Sequence, residues 1–223
     1  EFNTKFALPA RLVSLVRRIP LVVDGFVMLH ETLVEDWSRH SRTSLRALSL
    51  RFIDAVGVAC AGLYLTDTEL RAEQVRIRFR IFRPRVVSIP VSAPAWAKPS
   101  RPTPSRDGTL RVLYYGNYIP LHGLDYVLAE LARVAESRSV DATFVGDGDL
   151  RQEYEALATN LGLANSVNFV APVAEDQLAD LIHQNDVILG IFGTSPKARS
   201  VIANKVWQGL ASGRMVVTQA SPA

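Results

Sequence analysis

The stretch Arg111–Leu131 reads RVLYYGNYIPLHGLDYVLAEL. An apolar run leads into Gly116, a short turn containing a histidine follows, and after Gly123 the apolar residues recur at helical spacing. This order predicts a buried strand, a tight turn and a helix. Junctions of this kind often hold a phosphate group, although many βαβ units turn the same corner without a ligand. The remaining sequence has to distinguish these two interpretations.

The same alternation continues through the second half of the chain. After the strand 111–115 and the helix that starts at Leu124, strands are predicted at 142–145, 167–170, 186–191 and 215–218, and helices at 150–161, 175–184 and 204–211. Gly162 and Gly213 stand where helices end. Strands and helices that alternate in this way are typical of a parallel, doubly wound sheet.

The first half is less regular but is also predicted to be α/β. Strands are expected at 21–23, 63–66 and 86–91, and helices at 45–61 and 67–75. In the longer helix the residues expected to face inward are Leu45, Leu48, Phe52, Val56 and Ala59. The segment Gly25–Thr43 is expected to be a loop beside a cleft. The predicted fold is therefore α/β, with two Rossmann-like domains built on parallel doubly wound sheets: residues 1–92, a proline-rich linker over 93–108, and residues 109–223.

Composition places the chain among ordinary globular proteins. It has 223 residues, 48% hydrophobic and 21% charged, and a net charge of +3, which gives no reason to expect nucleic acid as a partner. The single cysteine, Cys60, excludes an internal disulfide framework and favours a reducing, cytoplasmic location. The sequence has neither a membrane-spanning apolar run nor a signal peptide. Because it opens on Glu1-Phe2 without Met and closes on a strand, both domains are expected to be incomplete.

Four segments resemble group 1 glycosyltransferases of GT-B fold. Tyr115–Asp125 resembles the first strand, loop and helix of that family's nucleotide-binding domain, and Phe144–Leu150 resembles its second strand and turn. Leu161–Val170 is similar to the approach to its third strand, and Asp186–Gly193 followed by Asn204–Thr218 is similar to its donor-site segment. The segments occur in the family's order. In the first half, Val22–Phe26 and Leu65–Glu69 more weakly resemble parts of the acceptor-side domain.

The resemblance implies a transfer, with retention, of a sugar from a nucleotide-diphosphate sugar to a glycan, lipid or small-molecule acceptor. Gly116 would let the backbone approach the diphosphate closely, and the helix after Gly123 would point its positive end there. His122 stands where family members commonly carry Lys, and Asn117 where they commonly carry Arg. A protonated His122 would restore part of that charge. Lys205 would pair with the phosphates. Neither a metal nor any cofactor beyond the donor substrate is expected.

The donor site departs from the family pattern. Group 1 enzymes typically carry two Glu separated by seven residues, the first contacting the sugar and the second the ribose, and the corresponding positions here hold Ser200 and Gln208. A Gln amide both donates and accepts hydrogen bonds, so Gln208 is expected to bind the ribose, whereas Ser200 is a weaker substitute at the sugar. No nucleophile or general base is assigned, and the identity of the donor sugar stays open.

Two other functions remain open from the sequence. One is a non-catalytic nucleotide-binding or partner domain of the same fold, which the missing Glu pair favours. The other is a nucleotide-sugar epimerase, which is poorly supported because the chain has only four His. A nicotinamide oxidoreductase is disfavoured because Arg151 stands where the third glycine of the dinucleotide fingerprint belongs. The arginine-rich segment Arg71–Arg85 is either a solvated helix end or a contact with the inner face of an anionic membrane.

Overall fold

The structure is a computed structural model, and it describes residues 3–101 and 107–223. The chain divides into two compact units. The first contains the described residues of Glu1–Pro90 together with Ser195–Ile202 and Ser221–Ala223, and the second contains those of Val91–Thr194 together with Ala203–Ala220. The predicted boundaries at 92 and 109 differ from these units because 195–202 and 221–223 group with the first. Across the described residues, no helix has both the length and the apolar character needed to cross a membrane.

The first unit contains one parallel sheet of three strands. Its strands are β1 (Val22–Asp24), β2 (Leu63–Thr66) and β3 (Val86–Ser88), and its longer helices are α1 (Ala7–Arg17), α2 (Leu45–Cys60) and α3 (Glu69–Arg78). The strands lie in the order β1-β2-β3, with Tyr64 opposite Val23 on one side and Val86 on the other. Ser44 and Thr68 cap α2 and α3 through their side chains, which accept hydrogen bonds from backbone amides one turn later.

The buried face of α2 is not the predicted one. Leu45 and Phe52, expected to face inward, are 86% and 69% exposed, and Leu48 and Ala59 are exposed as well. The buried face instead follows Ala47, Leu50, Asp54, Gly57 and Val58. A carboxylate stands in the middle of this face, so apolar periodicity alone selects the wrong side of the helix.

Asp54 also explains why the predicted loop at Gly25–Thr43 contains a helix. Its two carboxylate oxygens accept hydrogen bonds from the backbone amides of Leu29 and His30, each at 2.9 Å. These two amides begin the helical segment that continues as a short π-type helix at Glu31–Asp36. A side chain from a distant helix thus supplies the acceptors that the first turn of a helix needs.

The second unit contains five parallel strands covered by four helices. The strands are β4 (Leu110–Tyr115), β5 (Val140–Val145), β6 (Val167–Val170), β7 (Val187–Leu189) and β8 (Met215–Val217). The helices are α4 (Leu124–Ala135), α5 (Arg151–Asn160), α6 (Glu175–Gln184) and α7 (Asn204–Ala211). Every element predicted for this half of the chain is confirmed, and two of the helices, α6 and α7, have the predicted bounds.

The strand order of the second sheet determines where a ligand would bind. The order is β6-β5-β4-β7-β8, so the chain runs outward from β4 in one direction and then returns to β4 and runs outward in the other. In open parallel sheets the crevice at such a reversal, outside the carboxyl ends of the strands, is the usual ligand site. Here that crevice lies beyond Tyr115 of β4 and Leu189 of β7.

Part of the predicted linker is packed on the second unit. Trp96 contacts the cluster of buried residues that includes Leu113 and Ile188, and the Arg214 guanidinium donates to the Ser100 hydroxyl at 2.6 Å. The middle of the predicted linker, 102–106, lies outside the described residues, as do Glu1 and Phe2.

Candidate functional site

Two glycine turns meet at the carboxyl edge of the second sheet. The Gly116 amide, directly after β4, donates to the carbonyl oxygen of Val145 at 3.0 Å. A Cβ on Gly146, directly after β5, would overlap the carbonyl oxygen of Gly116, and a Cβ on Gly148 would lie 2.7 Å from the Tyr118 amide nitrogen. Both glycines also have positive φ, which side chains disfavour. Gly146 and Gly148 are therefore explained by the close packing of these two turns.

The other side of Gly116 faces two basic side chains. A Cβ on Gly116 would lie 3.1 Å from the Lys205 Nζ and 3.3 Å from the His122 Cε1. Gly116 thus leaves only a narrow space, tighter than a methyl group would need, between its backbone, an amine and an imidazole. The adjacent amide of Asn117 makes no hydrogen bond to any residue the structure describes, so it is a free donor beside this space. We call Gly116, Asn117, His122 and Lys205 the Gly116 cluster.

His122 is held in one tautomer. Its Nδ1 lies 2.6 Å from the Asn117 carbonyl oxygen and 2.5 Å from the Tyr114 hydroxyl, which itself donates to the same carbonyl at 2.8 Å. A carbonyl oxygen only accepts hydrogen bonds, so this arrangement assigns the proton to Nδ1 and leaves Nε2 with a lone pair. Asn117 thus acts through its backbone carbonyl, and its own side chain is exposed.

The charge expected on His122 is not supported. Burial and the proximity of Lys205 lower the pKa of His122 well below its ordinary value, although the hydrogen bond to Asn117 opposes the shift. A buried imidazole loses the hydration that its cationic form needs, and a neighbouring amine adds repulsion. His122 is therefore neutral near pH 7 in the empty protein, and the expectation that it supplies positive charge is wrong for this state.

Lys205 is the most unusual side chain of the cluster. It is only 5% exposed, and its Nζ has no hydrogen-bond partner within the described ranges of the chain. The Nζ lies 4.2 Å from the ring centroid of Tyr114, which provides a cation–π contact. Burial lowers the pKa of Lys205 to about 7. A buried donor without an acceptor is costly, so such a group in a native site calls for a ligand or another explanation.

Two tyrosines of β4 also belong to the site, although neither was predicted as a site residue from the sequence. Successive side chains of a strand point to opposite faces, so Tyr114 meets His122 on one face and Tyr115 meets Gln208 on the other. The Tyr115 hydroxyl donates to the Gln208 Oε1 at 2.8 Å, which leaves the amide NH₂ of Gln208 as the group available to a ligand. In the sequence both tyrosines read only as apolar strand positions before a glycine.

Gly123 has a packing explanation. Its φ is +57°, and a Cβ there would lie 2.6 Å from the Phe192 carbonyl carbon and 2.7 Å from the Gly193 nitrogen. The Phe192 amide also donates to the His122 carbonyl oxygen at 3.0 Å. The turn before α4 thus packs and hydrogen-bonds against the segment that follows β7. These contacts position His122, and they explain Gly123 without a ligand.

Ser200 is not brought into the cluster by its hydrogen bonds. It is a buried member of the first unit, where its hydroxyl donates to the Lys197 carbonyl oxygen at 3.0 Å and lies 3.5 Å from the Arg71 Nη1. The Ser200 hydroxyl is thus engaged within the first unit in the empty protein, and its contact with a donor sugar stays a prediction. Within residues 3–101 and 107–223, no group of three or more His, Cys, Asp or Glu side chains has an arrangement that could hold a metal ion.

Comparison with known proteins gives a family-model match over part of the chain and a structural likeness over most of it. Residues 98–190, less than half of the chain, match the sequence model of the group 1 glycosyl transferases. This range includes the Gly116 turn but ends before Lys205 and Gln208. No curated protein matches the sequence.

Three solved structures illustrate the structural likeness. HepE from Anabaena, solved in complex with UDP and glucose, has a TM-score of 0.67 at 20% identity, with 98% of this chain and 57% of that one covered. Sucrose-phosphate synthase from Thermosynechococcus elongatus gives 0.71 at 15% identity, covering 96% and 54%. WaaG, a glycosyltransferase of lipopolysaccharide biosynthesis, gives 0.66 at 16% identity, covering 88% and 55%.

The chain spans a little over half the length of these three structures. At such identities the likeness establishes the fold, and the predicted α/β class with parallel sheets is confirmed. The protein has the GT-B type of Rossmann-like units seen in these solved structures, and its residues 98–190 match the sequence model of the group 1 glycosyl transferases.

Proposed function

We propose that this chain forms the nucleotide-binding part of a glycosyltransferase, which moves a sugar from a nucleotide-diphosphate sugar to an acceptor with retention. The observation that carries the proposal is the buried, unpartnered Lys205 Nζ beside the Gly116 backbone, at the reversal point of a parallel sheet. A diphosphate is the class of ligand that such a site accommodates, because it offers several anionic oxygens to an amine and to free backbone amides.

The chemistry requires charge stabilisation at the leaving group. The bond between the anomeric carbon and the diphosphate oxygen breaks, and its electron pair leaves with the nucleoside diphosphate. Lys205 as an ammonium and the free Asn117 amide stand where this negative charge grows. The acceptor oxygen then bonds to the anomeric carbon on the same face and loses its proton. We assign no nucleophile and no general base among the residues of this chain.

Ligand binding should be detectable by thermal shift on the folded chain. We expect one of UDP, GDP and ADP to raise the melting temperature, because a ligand present at 100 times its dissociation constant adds about 2.7 kcal/mol of stability. Lys205→Ala and His122→Ala should reduce the shift, whereas Lys98→Ala, which removes an exposed lysine of the same unit, should not. A shift with NAD alone would refute the transferase proposal.

The first unit has an exposed surface of apolar and basic side chains, which includes fewer arginines than the arginine-rich segment of the sequence suggested. Arg71 is buried, while Arg76 and Arg78 are ion-paired with Glu69 and Glu35. The exposed remainder consists of apolar and basic side chains at the end of α3 and after it, namely Ile77, Ile81, Phe82, Arg80, Arg83 and Arg85. We propose that this mixed surface binds anionic lipid at the cytoplasmic face of a membrane, where a lipid-linked acceptor would be presented.

Co-sedimentation with vesicles tests this surface. We expect binding to phosphatidylglycerol vesicles and weak binding to phosphatidylcholine vesicles. The double change Arg80→Gln with Arg83→Gln should weaken binding about 30-fold, because each basic residue near an anionic surface contributes about 1 kcal/mol. Arg133→Gln, at an exposed position of α4, is the matched control. Equal binding of the double variant and the control would contradict the assignment.

A non-catalytic nucleotide-binding module is the second candidate. The observation that favours it is that both substitutes for the family's Glu pair are occupied, Gln208 by Tyr115 and Ser200 by Lys197 and Arg71. This function predicts nucleotide binding without sugar transfer or donor hydrolysis. An epimerase of the same fold predicts interconversion of the donor sugar in the absence of an acceptor. The described contact of a histidine with a carboxylate, His30 with Glu35 at 3.1 Å, belongs to the first unit and not to the Gly116 cluster.

A further inference from the structure

Lys205 lacks a counter-charge in the described part of the chain. Two titratable side chains face it, Tyr114 from β4 and His122 from the turn before α4. Burial raises the pKa of the Tyr114 hydroxyl, so this group carries no negative charge at neutral pH. Burial lowers the pKa of His122, so this group does not carry the positive charge instead. The charge of the empty cluster therefore depends on Lys205, and the cluster is close to neutral only above its pKa of about 7.

The side chains next to Lys205 cannot turn to accept a hydrogen bond from its Nζ without losing hydrogen bonds of their own. The Tyr114 hydroxyl and the His122 Nδ1 are both committed to the Asn117 carbonyl oxygen. Turning either group toward Lys205 would leave the Asn117 carbonyl oxygen with one donor fewer, at a cost comparable to a lost hydrogen bond. The remaining direction is the space in front of the Gly116 backbone, beside the free Asn117 amide. The Nζ is buried in the empty protein, so a ligand that widens this space would bring an oxyanion to Lys205.

We propose that an anionic diphosphate enters the Gly116 cluster together with one proton, which Lys205 takes up and holds while the ligand stays bound. The inference rests on the proposed function and adds the proton stoichiometry of its binding step. An oxyanion at Nζ supplies the attraction that favours the ammonium form, and the ammonium in turn strengthens the binding of the anion. Ligand and proton thus stabilise one another in the same buried site.

The coupling between proton and ligand makes the dissociation constant depend on pH. Above about pH 7 the empty protein must acquire the proton before it holds the anion, so the dissociation constant should rise about tenfold per pH unit. The free nucleoside diphosphate carries more negative charge than the sugar-bound donor. The product therefore holds the proton more firmly than the substrate, and a higher pH favours the release of both.

Isothermal titration calorimetry measures the proton directly. The whole chain is titrated with UDP, GDP and ADP at pH 8 in Tris and in HEPES, whose ionisation enthalpies differ. For the nucleotide that binds, we expect an uptake of about one proton per ligand and a tenfold weaker affinity at pH 8.5 than at pH 7.5. Lys205→Arg should bind with little uptake and little pH dependence, because a guanidinium stays protonated when the site is empty. His122→Gln should keep the uptake.

The outcomes separate this inference from the function on which it rests. Failure of all three nucleotides to bind the folded protein overturns the proposed function. Binding without proton uptake at pH 8 leaves the function standing and overturns the inference. Uptake that persists in Lys205→Arg but disappears in His122→Gln overturns it too, since the proton then goes to the imidazole. If Arg at position 205 prevents binding, the uptake of the unmodified protein and of His122→Gln decides between Lys205 and His122.

Discussion

Replacing Lys205 with methionine should abolish nucleoside-diphosphate binding and at the same time stabilise the empty protein. The two effects have one cause. Lys205 is buried and its Nζ has no hydrogen-bond partner among the described residues, so the empty protein bears the cost of a group that only a ligand satisfies. Methionine fills a similar volume, keeps the contact with the Tyr114 ring and removes the polar end. Sites that must bind charge are often destabilising while they are empty.

The stability effect should depend on pH in a defined window. The pKa of Lys205 is about 7 in the folded protein, against about 10.4 for an unperturbed lysine. Between these values the unfolded chain binds more protons than the folded one, so the stability of the unmodified protein rises with pH across this window. The cost of burying the charged Lys205 is greatest below about pH 7. There we expect the methionine variant to be more stable than the unmodified protein by on the order of 2–4 kcal/mol. The advantage should shrink toward pH 10.

Urea unfolding at pH 6.5, 8 and 9.5 measures this difference, and calorimetric titration with UDP, GDP and ADP measures the loss of binding. Lys98→Met is the matched control, because Lys98 is an exposed lysine of the same unit and should change neither property. A methionine variant that is less stable than the unmodified protein at every pH would show that Lys205 contributes to the fold. That result would remove the main support for an anion site.

Replacing Arg71 with methionine should destabilise the first unit by about 3–5 kcal/mol, the range expected when one partner of a buried ion pair is removed. Arg71 is 2% exposed, and its guanidinium donates to both carboxylate oxygens of Glu31, at 3.1 and 2.9 Å. Its Nε also lies 3.1 Å from the Asp67 Oδ1. Without Arg71, two carboxylates would stay buried next to each other. This arginine therefore holds together α3, the short helix at Glu31–Asp36 and the end of β2.

The loss should be partly recovered by acid. Burial raises the pKa of Asp67, and Arg71 opposes that shift. A folded-state pKa above the unfolded one means that the folded state binds more protons, so this group favours folding at low pH and loses that contribution as the pH rises through its folded pKa. Removing Arg71 increases the difference between the folded-state and unfolded-state pKa of Asp67. We therefore expect the gap between the variant and the unmodified protein to narrow as the pH falls from 7 to 5.

Two further variants make this prediction specific. Adding Glu31→Gln to Arg71→Met removes one of the two carboxylate charges that have lost their arginine partner, and it should restore part of the stability. Arg76→Met removes an arginine of the same helix whose ion pair with Glu69 is at the surface, and it should change the unfolding curve very little. Urea unfolding together with hydrogen exchange over residues 63–78 gives the measurement. Equal effects of Arg71→Met and Arg76→Met would contradict the role given to the buried pair.

The first unit shows where sequence patterns mislead. The apolar residues Leu45, Leu48 and Phe52 recur at helical spacing, yet they are exposed, and the buried face of α2 is centred on Asp54. Asp54 is tolerated there because it accepts hydrogen bonds from Leu29 and His30, more than twenty residues away in the sequence. Burial raises the pKa of Asp54 against these hydrogen bonds. A periodicity argument cannot anticipate a buried carboxylate whose partners are distant.

The sequence by itself determined the second unit and named the principal members of its site. Strand and helix formation depend there on local patterns of apolar residues and on glycines at the ends of elements, which are readable without tertiary contacts. The resemblance to group 1 glycosyltransferases led to Gly116, Asn117, His122 and Lys205. Gly123 and Gln208 were also named, and the contacts of Gly123 now give it a packing role.

Only the tertiary structure decided what these residues do. It made His122 neutral, brought Tyr114 and Tyr115 into the site, fixed the orientation of the Gln208 amide and engaged Ser200 elsewhere. Each of these outcomes depends on burial and on hydrogen bonds between residues far apart in the sequence. Tyr115 and Gln208 are separated by 93 positions, and Arg71 and Ser200 by 129. Charge state and availability follow from such contacts, because the free energy of a polar group is set by the atoms that surround it.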